Sequence, residues 1–174
     1  MKTTLNQIRS HSPCINGWKK LLSNLNKTAS DDEPLSLLTI LDSNGLDHAL
    51  WCLRAVEGHK KEKMLLSVKF ARRVQHLMGP RSIAALDVAE RYAKDEATYE
   101  ELASARDDAW AAYTAAYMTA AALNADVAAF AARAAACAAW NEVRSAAVNA
   151  SADPSAERIE QEKILREMLF SITA

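Results

Sequence analysis

Glycine is scarce in this chain, four residues in 174, and the four stand far apart. A phosphate-cradling loop or a dinucleotide fingerprint needs glycines clustered within a few positions, so neither can be assembled. Cysteine is scarcer still. Cys14, Cys52 and Cys137 are odd in number, scattered and never in C-x-x-C spacing, which argues against a disulfide framework or a zinc site and predicts reduced thiols in the cytoplasm. His11, His48, His59 and His76 show no H-E-x-x-H or other metal-ligand spacing, and there is no G-x-S-x-G elbow. The expectation is a protein that is not an enzyme, with no metal and no cofactor.

Long apolar runs are also missing. The longest uncharged run, Ala109 to Ala125, is diluted by Thr114, Thr119 and Asn124 and is short for a membrane span. Met1 to Ser10 carries Lys2 and Arg9 but no apolar h-region, so no signal peptide is expected. A large excess of either charge is absent, the formal net charge being −1. With no helix-turn-helix or zinc-finger signature, that balance argues against nucleic acid as a partner. Charge is nevertheless placed unevenly. Lys60, Lys61, Lys63, Lys69, Arg72 and Arg73 make one segment basic, and Glu90, Asp95, Glu96, Glu100, Glu101 and Asp107 make the next acidic. Neighbouring helices pairing their charged flanks account for this, and a bipolar surface that steers a partner is the alternative.

What is abundant is alanine, roughly half of the residues between Ala103 and Ala150. Alanine has the highest helix propensity, and each buried methyl adds only about 0.8 kcal/mol, so this stretch gains helicity and little cohesion. It predicts two long helices joined near Asn124–Asp126 as an antiparallel hairpin. Trp110, Tyr113 and Tyr117 fall on one face of the first, and Phe130, Cys137 and Trp140 form a comparable stripe on the second. Aromatics are only 6% of the chain, and these are expected to be core anchors, with an exposed recognition face the alternative.

Punctuation divides the rest. Pro13, Pro34, Pro80 and Pro154 each stand where a helix could begin, and Gly45, Gly58 and Gly79 where one could stop in a left-handed cap. Thr98 and Glu101 have capping-box spacing. Apolar residues recur at helical spacing: Leu46, Leu50 and Leu53, then Leu66, Phe70, Val74 and Leu77, then Ile83, Leu86, Val88 and Tyr92. No strand is predicted. Helices are expected near 13–25, 34–43, 46–57, 60–78, 81–95, 98–123, 125–150 and 154–171. The fold class is all-α: stacked antiparallel helices, solenoid-like or a bundle, in one domain over 1–174. Its shorter helices occupy 12–95, the alanine-rich hairpin 98–150 and the C-terminal helix 154–172. Trp51 before Arg54, Phe70 before Arg73 and Val88 before Arg91 give a faint repetition that helix pairs would produce.

The nearest thing to a polar constellation combines His48, Trp51 and Arg54 with Arg72, Arg73, Gln75 and His76, and then Asp87, Glu90 and Arg91. His48 and Cys52 share a helical face at i, i+4, as do Arg72 and His76. Such residues line a cleft in one reading. In the commoner one they are hydrogen bonds and ion pairs that fix helix register.

Three segments carry a resemblance: Ala49-Leu50-Trp51-Cys52-Leu53-Arg54-Ala55-Val56, Phe70-Ala71-Arg72-Arg73-Val74-Gln75-His76-Leu77, and Arg81 to Tyr92. From about Asp42 to Trp140 the chain resembles the immunity proteins predicted for bacterial toxin systems and also found in phage genomes, whose members continue into Ala-Trp-rich helices. Tyr113 and Tyr117 depart from that pattern, standing where further tryptophan is expected. The resemblance implies an all-α protein of the bacterial cytoplasm or an infected host cell that neutralises a toxin or effector by stoichiometric binding. It carries over no catalytic residue. His48, Trp51, Arg54, Arg72, Arg73 and His76 are the expected partner-binding residues. A phage-encoded inhibitor of a host defence or regulatory complex, and a self-associating structural protein forming homo-oligomers, are the alternatives.

Overall fold

The computed structural model describes residues 1–120 and 153–173. Their architecture is all-α apart from one pair of two-residue strands. In chain order come β1 (Lys2–Thr3), α1 (Leu5–Ser10), α2 (Ile15–Asn24), β2 (Leu35–Ser36), α3 (Leu37–Asn44) and α4 (Leu46–Cys52). After a 3-10 turn at Leu53–Ala55 follow α5 (Lys60–Arg72), a second such turn at Gln75–Leu77, α6 (Pro80–Ala93), α7 (Tyr99–Ala120) and α8 (Pro154–Thr173). The chain divides into two compact units, Met1–His59 with Leu165–Ala174, and Lys60–Ile164.

In the first unit, α2 packs on α3 and α3 on α4. Leu37, Ile40 and Leu41 point inward at i, i+3, i+4, each at most 2% exposed, which is the stripe an amphipathic helix must bury. Leu165, Met168 and Leu169 repeat that spacing at the end of α8 and are likewise buried. Arg166 Nη1 donates to Asp42 Oδ1 at 2.6 Å, tying this end of α8 to α3. Antiparallel pairing of β1 with β2, and Thr3 Oγ1 donating to the Ala55 carbonyl at 2.7 Å, hold the N-terminus in place.

In the second unit, α6 packs on both α5 and α7. Leu66, Phe70 and Val74 are at most 2% exposed and supply its bulky apolar side chains. The contact of α6 with α7 uses alanines: Ala85 and Ala109 are buried together, with Ala105 against them. Small side chains let two helices pack closely.

Several expectations are corrected. The sequence predicts no strand, whereas β1 and β2 form a short pair; two residues are too few for an alternating pattern. Pro34 does not open a helix; Leu35 and Ser36 are engaged by β1, and the Ser36 hydroxyl accepts the Leu38 N–H at 3.2 Å to cap α3 at its start. An additional helix, α1, is capped by the Thr4 hydroxyl, which accepts the Gln7 N–H at 3.1 Å. The segments expected as helices over 46–57 and 60–78 end at Cys52 and Arg72 and tighten into 3-10 turns. Gly45 and Gly58 have positive φ, whereas Gly79, at φ −75°, is the N-cap of α6. Left-handed residues also follow α2 and α6, at Asn26 and Asp95. Trp110 is 53% exposed rather than a core anchor, because Ala109, one residue earlier and so about 100° away around the helix, takes the inward position. The second alanine-rich helix, the turn at Asn124–Asp126, and Phe130, Cys137 and Trp140 lie outside the described residues, as do the side chains of Tyr113 and Tyr117.

Candidate functional site

The six residues singled out in the sequence are divided between the units. His48, Trp51 and Arg54 belong to the first, and Arg72, Arg73 and His76 to the second.

Helix α4 buries Leu46, Ala49 and Leu50, which turns His48 and Trp51 to its flanks. His48 is half-buried. Its Nδ1 lies 3.1 Å from the Asn44 carbonyl oxygen, an atom that only accepts, so Nδ1 carries hydrogen. In the neutral ring, Nε2 is then an acceptor, and it lies 3.7 Å from Cys14 Sγ. Cys14 is the N-cap of α2, and its sulfur also accepts the Gly17 N–H at 3.4 Å. Gly17 makes room for the imidazole: a Cβ there would lie 2.4 Å from His48 Cδ2. Buried Asn44 closes the arrangement, donating from Nδ2 to the Gly17 carbonyl at 2.8 Å. Cys14 stands outside the polar constellation read from the sequence. Its spacing to Gly17 fits a cap, but no local signal pairs it with a histidine in another helix.

One turn further along, the Arg54 guanidinium lies over the Trp51 ring, 4.6 Å from its centroid, and Arg54 Nε donates to the Trp51 carbonyl at 3.1 Å. The cation is thereby held over a half-buried aromatic while remaining exposed. Cys52, expected to share a face with His48, is 4% exposed, and burial pushes its thiol up to about 12.

In the second unit the polar residues pair with one another. Arg72 Nη2 donates to both Asp87 and Glu90 of α6, and those bonds raise its pKa above the usual value. Lys94 Nζ donates to Glu90 Oε1 at 2.8 Å, and this bond, with that from Arg72, holds the Glu90 carboxyl below the usual range. Lys61 pairs with Asp95, and Arg91 with Glu101 at 3.0 Å. The basic segment and the acidic one after it therefore meet as paired flanks. Arg73 Nε donates at 3.2 Å to Glu157 of α8, a carboxylate only 4% exposed. His76 is exposed on the 3-10 turn and does not continue a helical face from Arg72, because α5 has already ended. The arginines of the faint repeat have unlike partners: Trp51 for Arg54, Glu157 for Arg73 and Glu101 for Arg91.

A cleft of about 540 Å³ runs between α6 and α7, lined by Arg81, Ala84 and Val88 on one side and Glu100, Ser104 and Asp108 on the other. Among the described residues no three His, Cys, Asp or Glu side chains are placed to hold a metal ion. No helix among them is long and apolar enough to cross a membrane. The chain matches no family model, no curated protein and no solved structure.

Proposed function

We propose that the protein is a non-catalytic, protein-binding inhibitor of the immunity type, neutralising a toxin or effector by stoichiometric contact, with the Trp51–Arg54 ledge at its binding face. The observation that carries this reading is the arginine seated 4.6 Å above the tryptophan ring at the surface of α4. Tryptophan and arginine are the residue types most enriched among interface hot spots. An arginine already held on an aromatic loses little conformational freedom when a carboxylate partner arrives. The all-α fold and the resemblance over Asp42 to Trp140 agree with this function. The ion pairs of Arg72 and Arg73 give those two residues a structural role, so the first unit is the better candidate surface.

The test is affinity capture from bacterial lysate with tagged protein, followed by mass spectrometry and titration of the captured partner. Wild-type protein is expected to retain a partner at fixed stoichiometry. Trp51→Ala or Arg54→Ala should weaken it by about 2 kcal/mol, roughly 30-fold in Kd, with helical content unchanged. Retention of full affinity by both variants would remove the ledge from the interface. A partner that is turned over, rather than held, would reject the inhibitor reading.

A further inference from the structure

We propose that Cys14 is a reactive thiol, activated by His48, that exchanges with small-molecule disulfides and is thereby reversibly modified. The pairing joins two helices and two kinds of group, a nucleophile at the start of α2 and a base on α4. The imidazole is directed: Nδ1–H is committed to the Asn44 carbonyl at 3.1 Å, leaving the Nε2 lone pair facing Cys14 Sγ at 3.7 Å. A nucleophile beside a base, with the base oriented by a third group, is the general arrangement of activated cysteines. The Gly17 N–H, 3.4 Å from the sulfur, is placed to stabilise the thiolate once formed. Cys14 is exposed, so a disulfide can approach its sulfur, and Gly17 supplies the space that keeps the imidazole in place.

The step balances without a further oxidant. His48 Nε2 takes the Cys14 proton, and the thiolate attacks one sulfur of the disulfide. A Cys14–S–S bond forms as the original S–S bond breaks, and the departing thiolate receives the proton from the His48 imidazolium. One half of the small molecule remains on Cys14 and the other leaves as a thiol. Cys52, with its thiol buried and held protonated at neutral pH, is not expected to compete.

The experiment incubates the full chain with oxidised glutathione and follows glutathione addition at Cys14, Cys52 and Cys137 separately by peptide mass spectrometry. Cys14 is expected to be modified about tenfold or more faster than N-acetylcysteine under the same conditions, and about tenfold or more faster than in folded His48→Gln, which removes the base. Cys14 reacting no faster than N-acetylcysteine would overturn the proposal, as would equal rates in wild type and folded His48→Gln. Should His48→Gln lose its helical content, the wild-type comparison with N-acetylcysteine decides alone.

Discussion

Gly17 shows how much can rest on one missing methyl. The imidazole of His48 occupies the space a side chain would need, and its ring is held from the other side by the Asn44 carbonyl. Gly17→Ala is therefore expected to destabilise the first unit by about 1–3 kcal/mol through overpacking, even though alanine favours helix, and a urea midpoint measures it. Glu157 is the opposite case, a carboxyl group only 4% exposed. Arg73 Nε donates to its Oε2 at 3.2 Å, and the Gln161 amide donates to its Oε1 at 3.1 Å. The other Gln161 atom, Oε1, has no hydrogen-bond partner among the described residues. Arg73→Leu should cost on the order of 2–3 kcal/mol, because it leaves a buried carboxylate one donor short. Joining it to Glu157→Leu should recover much of that loss, since the uncompensated charge is then gone; thermal melts of the three variants check the cycle.

Helix ends here are set by side chains acting over two or three positions. Thr98 and Glu101 cap α7 reciprocally: the Thr98 N–H reaches Glu101 Oε2 at 2.7 Å, and the Glu101 N–H reaches Thr98 Oγ1 at 3.2 Å. Asp153 caps α8, its Oδ1 accepting the N–H groups of Ser155 and Ala156 at 3.0 Å, with Pro154 as first helical residue. Thr98→Ala should cost about 1 kcal/mol in stability. The caps and pairs also give the acid limb a definite sign. The Glu101 carboxyl is held below its usual 4.5 by the Thr98 N–H, then by Arg91; Glu90 is held low by Lys94, then by Arg72. A carboxyl lowered by folding contributes stability above its unfolded pKa and loses it as pH falls through the folded value. Stability should therefore be flat from neutrality to about pH 4.5 and decline below it. Glu101 is exposed and Glu90 only half-buried, so the decline is modest; it should be smaller in Glu101→Gln and in high salt.

Helix α8 has residues in both units, since the chain passes from the second to the first between Ile164 and Leu165. Its buried positions Glu157, Gln161, Leu165 and Leu169 recur every fourth residue, polar in the second unit and apolar in the first. Leu165→Ala should cost about 2–5 kcal/mol, and amide exchange should place the loss of protection in α3 rather than in α6. A uniform loss across both units would show that they unfold as one.

Proline at the starts of α6 and α8, the capping box of α7 and the apolar stripes of α4 and α5 were all legible in the residues, because each operates within a turn or two of helix. The alanine contact between α6 and α7 was not among them, since the composition pointed instead to close packing within the expected alanine-rich hairpin. Pro34 does not open a helix because the residues after it are claimed by a strand far away in sequence, with Lys2 opposite Ser36. Asn26 and Asp95 are left-handed after α2 and α6, since short polar side chains tolerate that conformation and nothing local marks which of them will adopt it. The pairings that define the candidate sites lie further out of reach: Cys14 with His48 across 34 positions, Arg73 with Glu157 across 84, Arg166 with Asp42 across 124. Which faces meet is decided by burying apolar stripes, and polar groups are then held wherever that packing leaves them. Helix content and most helix starts thus follow from short-range chemistry, while the base that faces Cys14 and the acid that faces Arg73 exist only once the helices are packed.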